Sequence, residues 1–410
     1  MSKVAFISLG CAKNQVNCEQ MMASIVNAGH ELLLAPAGAD VVVVNTCGFL
    51  SSACEEAIDN ILEMAELKQA GLVKKILVTG CMAQRYKDEI LSELPEVDGI
   101  LGTGSYEDIV TAIDAVLTKD ERPCYFGNVH TAKQNGERIL STPPYCAYLR
   151  IAEGCDNCCA YCVIPRLRGR FRSREMGELL DEARELADAG VKELLVIAQD
   201  ITRYGTDLNG EHQLAGLLKE LCKLDFHWIR LHYLYPDEIT DELIDTIARE
   251  EKILPYLDIP IQHCNDAILK AMNRRDTKAS LTELFAKLRD RIPNLVLRTS
   301  IITGLPLEGE EEFDELLQFV RDARFERLGA FTYSEEEGTW GAQNLSDDVP
   351  ENVKSRRYDA LMSLQASISS SFNMSRIGTV ERVMVDDCAG DPLVCRSQYE
   401  SPEVDGEILV

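Results

Sequence analysis

Cys155-Asp156-Asn157-Cys158-Cys159-Ala160-Tyr161-Cys162 is the stretch on which the reading of this chain turns. It follows an apolar run at 148–151 that reads as a buried strand. Three thiols spaced by three residues and then by two can wrap one face of an iron–sulfur cubane from a single loop. Such clusters take soft thiolate ligands in tight runs. Three ligands leave one iron open to another molecule. Cys155, Cys159 and Cys162 give that spacing, but Cys155, Cys158 and Cys162 fit a loop of the same size, so the register stays open. A structural zinc knuckle is the competing reading. Zinc there normally takes four ligands from two separated pairs, and beyond this one run no further Cys-x-x-Cys or Cys-x-x-His lies nearby.

Toward the carboxyl terminus the apolar runs recur at 148–151, 194–198, 228–232, 256–259, 296–299 and 328–331, with helical segments between most of them. Six such repeats predict an open or partial α/β barrel whose chemistry sits at the carboxyl ends of its strands. Gln199-Asp200, Gln262-His263 and Arg298-Thr299 end the second, fourth and fifth strands, so they are candidates for cofactor or substrate contact, against a plain barrel role. Arg166, Arg168, Arg170, Arg172 and Arg174 recur at every second residue after the cysteine loop. An anionic cluster and a carboxylate favour arginine nearby. A solvated strand face accounts for most of these five, and Arg174 is the one assigned to the site.

Toward the amino terminus, runs at 4–9, 41–44 and 76–78 alternate with helical segments, which implies a parallel sheet with right-handed crossovers. Cys11, Cys47 and Cys81 each follow one of these strands within a few residues. Strand ends of an open parallel sheet converge on one crevice, where ligands bind. Three thiolates gathered there can hold a second cluster with one free iron; three ordinary buried cysteines are the alternative. Gly10, Gly48 and Gly80 beside them allow close approach. The rhythm breaks from about 118 to 144, a linker ending in Thr142-Pro143-Pro144.

With 410 residues at 45.7 kDa, the chain is long enough for two or three domains. The division expected is 1–138, 139–372 and 373–410, the last a small β module with runs at 380–385 and 407–410 that stops in mid-strand. The fold class is α/β: an open parallel-sheet domain, a partial (βα)6 barrel and the β module. A formal net charge of −26 argues against a phosphate-backbone binder and favours basic partners. No apolar run approaches the roughly 18 residues of a membrane span, and the first residues read as a strand, not a signal peptide. Fifteen cysteines without an export signal point to metal or redox chemistry in the cytoplasm, not to disulfides.

The cysteine run after the first strand of a partial barrel resembles the radical S-adenosylmethionine superfamily. The three strand-end cysteines and the terminal β module, similar to a TRAM domain, narrow the resemblance to its methylthiotransferases. Trp228-Ile229-Arg230-Leu231-His232-Tyr233-Leu234-Tyr235-Pro236, Tyr256-Leu257-Asp258-Ile259-Pro260-Ile261-Gln262-His263 and Phe331-Thr332-Tyr333-Ser334-Glu335-Glu336-Glu337-Gly338-Thr339 are similar to the RimO branch. The tRNA-modifying MiaB branch typically has Ser-His-Pro and Gln-Ser-Gly where this chain reads Tyr-Leu-Tyr-Pro and Gln-His-Cys. The chain also departs from the family's usual Gly-Phe-Pro-Gly-Glu-Thr, having Gly304-Leu305-Pro306-Leu307-Glu308-Gly309 near the expected adenosine site.

That resemblance implies a methylthio transfer to the β-carbon of an aspartate in ribosomal protein S twelve. It implies two 4Fe-4S clusters, one on Cys155, Cys159 and Cys162 and one on Cys11, Cys47 and Cys81, with S-adenosylmethionine as co-substrate. Tyr161 is implied to lie near the adenine, and Gly304 falls in the loop near the adenosine. No catalytic residue is implied beyond the cluster ligands. An electron donor is needed and is unidentified. From 374 to 410 three basic residues face eight acidic ones, which suits a basic ribosomal protein and disfavours tRNA. A non-catalytic electron carrier or sensor is the reading from another class, and turnover of S-adenosylmethionine by the reduced protein separates the two.

Overall fold

A computed structural model describes residues 1–118, 122–402 and 404–410. The chain divides into two compact units. The first comprises Met1–Thr142, Ala152–Asp156 and Val163–Arg174; the second comprises Pro143–Ile151, Asn157–Cys162 and Glu175–Val410. Two short segments around the cysteine loop belong to the first unit, and the terminal β module belongs to the second.

The first unit is built on a parallel sheet of β1 (Lys3–Ser8), β2 (Glu31–Leu33), β3 (Val41–Thr46), β4 (Lys75–Gly80), β5 (Gly99–Leu101) and β6 (Cys124–Tyr125). Its strand order is β2-β1-β3-β4-β5-β6. Val41-Val42-Val43-Val44 is fully buried because both faces of the sheet are covered. Val42 and Val44 pack with Ala57, Ile61 and Met64 of the helix Ser51–Gln69, and Val41 and Val43 with Met21 and Ile113 on the other face. The stretch expected as a linker contributes β6, which pairs with β5; residues 119–121 of it lie outside the described residues. From β1 the chain passes to β2 on one side and then returns to β3 on the other. The carboxyl ends of β1 and β3 therefore form the topological switch point, where open α/β sheets bind ligands.

The second unit holds β7 (Cys146–Arg150), β8 (Glu193–Ile197), β9 (Trp228–Leu231), β10 (Ile253–Asp258), β11 (Val296–Thr303) and β12 (Arg327–Thr332) in one parallel sheet in sequential order. All six strands expected for the partial barrel are present. β11 runs on through Thr303, so Arg298 lies within the strand and not at its end. One face of this sheet is unusually polar for a buried surface, carrying Glu193, Arg230, Tyr256, Asp258 and Arg298. These groups pair with one another and with the terminal module, an antiparallel sheet of β13 (Val383–Asp387), β14 (Val394–Ser397) and β15 (Ile408–Leu409).

The docking of that module changes the charge argument. Arg396 pairs with Glu193 and Asp386, and Arg376 with Glu381 and Glu400. Arg327 bonds Glu400 at 2.9 Å, and the Tyr256 hydroxyl donates to Asp405 at 2.6 Å. Four of the module's acidic side chains are therefore committed within the unit. Among the described residues, Asp387, Asp391 and Glu407 remain exposed, with Arg382 as their exposed basic counterpart; Glu403 lies outside the described residues. The outward surface stays acidic, but by less than the count suggests. No helix of the described residues is long and apolar enough to cross a membrane.

Candidate cysteine centres

Cys11 follows β1, Cys47 follows β3 and Cys81 follows β4, at and beside the switch point. The loops meet closely because glycines let them. A Cβ on Gly10, whose φ is +87°, would stand 2.7 Å from Cys47 Cβ. Gly80 has φ 97° and ψ −161°, a region open essentially to glycine alone, and a Cβ there would lie 2.3 Å from the Thr46 carbonyl oxygen. The glycines expected to admit a cluster thus first admit the neighbouring cysteine loops. Gly80→Ala is expected to cost about 2–3 kcal/mol through backbone strain and overpacking, read as a lowered melting temperature of the apo-protein. An unchanged melting temperature would show that the loops can give way.

Asn14, one turn beyond Cys11, ties the strand ends together. Its side-chain amide donates to the Leu9 carbonyl at 2.9 Å and the Thr46 carbonyl at 3.0 Å. The three thiols sense one another electrostatically, and all three sense Arg168. Burial raises Cys81 to about 11 against the pull of Arg168, and it also raises Cys47. At Cys11 burial acts in the same direction, but Lys13, Arg168 and the backbone N–H groups of Asn14 and Lys13 outweigh it and lower the thiol.

Arg168 is the residue that sequence reading placed on a solvated strand face. It ends a short helix, Ile164–Arg168, and is buried. Pro165, at the start of that helix, was the available signal, since proline is favoured in a first helical turn.

Around the second cysteine run, the thiols divide with the units: Cys155 belongs to the first, Cys159 and Cys162 to the second. The Cys155 N–H donates to the Gly169 carbonyl at 3.2 Å. In the second unit the loop is pinned by Asn273-Arg274-Arg275. Asn273 donates its amide to the carbonyls of Asn157 and Cys158, at 3.3 and 2.9 Å. Arg274 donates to the Tyr161 hydroxyl at 3.3 Å and the Pro260 carbonyl at 2.9 Å, stacks over Tyr235 and pairs with Asp276. Its guanidinium is held charged despite burial by Tyr161, Cys159, Tyr235 and Asp276. Nothing in the sequence singled out this triplet. Cys158 sits exposed at φ +50°, and it is its carbonyl that is engaged.

The remaining candidates separate. Asp200 meets the cysteine loop, accepting from Asn157 Nδ2 at 2.8 Å and from Thr202. Burial pushes its carboxyl up against those donors. Tyr161 packs with Ala160, Ile268, Met272, Leu305 and Tyr333. Burial, and then Cys159, raise its phenol well above the usual range. Gln262 takes φ +69° and is bridged on both sides to β11 through Ser300 and Ile302. Gln199 is half-buried just past β8, and Arg174 is buried. Two candidates have structural employment. Arg298 pairs with Asp258 at 2.7 Å. Gly304 has φ +74°, donates to Glu308 at 2.9 Å, and has no room for a Cβ against Lys354. Glu308 in turn receives Arg357 at 2.9 Å and lies 3.4 Å from His263.

All fifteen cysteines are free thiols, which suits thiolate ligation at both runs. Among the described residues no three His, Cys, Asp or Glu side chains converge closely enough for a single metal ion. A cubane asks for less, since each thiolate takes its own iron. Thiols from three adjacent strand ends around a buried cation fit that donor set.

Comparison with known proteins bears on the whole chain. Residues 3–102 match the Uncharacterized protein family UPF0004, 149–320 the Radical SAM superfamily and 377–410 the TRAM domain. A protein of Geobacter sulfurreducens named ribosomal protein uS12 methylthiotransferase RimO is 47% identical over 413 residues, covering 100% of this chain and 92% of its own. A protein of the same name from Syntrophomonas wolfei is 46% identical, covering 99% of this chain and 93% of its own. Among solved structures, the radical S-adenosylmethionine methyltransferase TsrM of Kitasatospora setae aligns with a TM-score of 0.61 at 13% identity, over 100% of this chain and 85% of that one. That likeness concerns the fold.

Proposed function

The chain belongs to the family of ribosomal protein uS12 methylthiotransferases, and from that premise we propose that it adds a methylthio group to the β-carbon of an aspartate in uS12 using two 4Fe-4S clusters and S-adenosylmethionine. The observation that supports the two-cluster reading is the meeting of Cys11, Cys47 and Cys81 at the switch point around buried Arg168, in a chain that also carries the Cys155, Cys159 and Cys162 run. The clusters and S-adenosylmethionine, when bound, supply one-electron cleavage chemistry and sulfur.

The chain's own residues bind, orient and shield. Cys155, Cys159 and Cys162 would hold the first cluster, and Arg274 places a fixed positive charge near Cys159. Asn157 links the loop to Asp200, whose carboxylate is thereby fixed at the end of β8. Tyr161, Tyr333 and Leu305 form an apolar wall that excludes water from the loop, as radical chemistry requires. Gln262, Gln199 and Arg174 are assigned to the cofactor side, whereas Arg298 and Gly304 act through the sheet and the loop that they stabilise.

The substrate assignment is tested by offering the reduced, reconstituted protein uS12 and tRNA side by side. Methylthio-aspartate in uS12, with binding that weakens as salt rises, is the expected result. Methylthioadenosine in tRNA, with uS12 unmodified, would move the chain to the tRNA-modifying branch.

A further inference from the structure

We propose that Arg168 is a positioning residue that sets the reduction potential of a cluster held by Cys11, Cys47 and Cys81, an inference that rests on reading those cysteines as a cluster site. The guanidinium is 3% exposed, and the short helix it ends packs against Cys81 through Val163 and Leu167. Its two shortest side-chain bonds go to neutral acceptors: Nη1 to Asn17 Oδ1 and Nη2 to Asn14 Oδ1, each at 2.8 Å. The Asn14 orientation is not free, because its amide nitrogen is spent on the Leu9 and Thr46 carbonyls. The only carboxylate partner among the described residues, Glu153, stands farther off at 3.4 Å.

That arrangement is not what a purely structural arginine needs. A buried structural guanidinium is best served by a close bidentate carboxylate, which cancels its charge. Here two amide oxygens fix its direction, and the one carboxylate meets a single Nη at 3.4 Å, so the pairing is neither close nor bidentate. Cluster potentials respond to net charge, hydrogen bonds to the sulfurs and burial, and Arg168 supplies a buried positive charge. An added electron makes the cluster more negative. A fixed cation therefore stabilises the reduced state and raises the midpoint, while Glu153 opposes it.

The test uses the full chain with Cys155, Cys159 and Cys162 replaced by alanine, so that one cluster is observed, and follows its midpoint by EPR-monitored redox titration. Arg168→Gln should lower the midpoint and shift the reduced-to-oxidised ratio at fixed poise at least tenfold, about 59 mV for a one-electron couple. Glu153→Gln should shift it the opposite way. Arg168→Lys, which keeps the charge, should stay closer to the parent than Arg168→Gln. Opposite signs from two neighbouring substitutions are not produced by loosened packing. If Arg168→Gln keeps its iron with an unchanged midpoint, the proposal fails. If that variant cannot hold iron, Glu153→Gln decides, and an unchanged midpoint there overturns it equally. A parent that binds no iron, with Arg168 and Glu153 native, overturns the cluster site itself and the assignment with it.

Discussion

Alanine at Cys155, Cys159 and Cys162 together is expected to reduce S-adenosylmethionine cleavage to the level of a protein-free control, while leaving about four of about eight irons per chain. Alanine at Cys11, Cys47 and Cys81 is expected to leave a similar half-load and to retain cleavage, yet to transfer no methylthio group. The asymmetry follows from where the two sets lie. Cys159 and Cys162 share their loop with Tyr161 and, through Asn157, with Asp200 at the mouth of the six-stranded sheet. Cys11, Cys47 and Cys81 belong to the ends of a different sheet. Equal loss of cleavage in both variants would remove the division of labour, and a full iron load in the second would remove its cluster. Cys158→Ala should leave cleavage intact, because that residue is held by its carbonyl and at a left-handed φ. Loss of cleavage there would shift the ligand register to Cys158.

How far the sequence carried depended on whether a feature was local. The Val41–Val44 run announced itself because a strand buried on both faces leaves a continuous hydrophobic stretch, and the six runs of the second sheet by apolar residues that recur between helical segments. Glu31–Leu33 and Cys124–Tyr125 did not, being short strands at the two edges of the first sheet. The end of β11 was misjudged although a signal was present. Ser300-Ile301-Ile302-Thr303 continues the alternation of buried and half-buried positions, and Arg298 falls inside it. The arginine run shows the opposite failure. A period of two suggested a strand, whereas Pro165 opens a helix that turns Arg168 inward.

What no periodicity contains is which distant charge a side chain will meet. Glu381, Asp386, Glu400 and Asp405 look like solvating carboxylates in the sequence, and in the fold they bond to Arg376, Arg396, Arg327 and Tyr256. The cysteines were legible because their chemistry is carried by residue type and spacing. Arg168 and Arg274, the cations that attend them, were legible only after the chain had folded.

Arg274→Met is the substitution expected to do most harm without touching a cysteine. It removes a buried guanidinium and leaves Asp276, itself buried, without its cation partner. Breaking a buried pair from one side costs about 3–5 kcal/mol, more than the roughly 0.5–2 kcal/mol of the lost stacking on Tyr235. The uncompensated carboxylate therefore dominates. The melting temperature of the apo-protein should fall by on the order of 10 °C. Because Arg274 also holds the Tyr161 hydroxyl and the Pro260 carbonyl, the variant should lose the iron assigned to Cys155, Cys159 and Cys162 while keeping the other half. Arg274→Lys keeps the charge but not the planar fork, so it should recover most of the stability and only part of the iron. Pairing Arg274→Met with Asp276→Leu separates the two effects. The double variant should regain stability, since no orphaned charge remains, and should still lack the cluster. Recovery of the full iron load in that double variant would show that Arg274 serves the charge balance of Asp276 and not the cysteine loop.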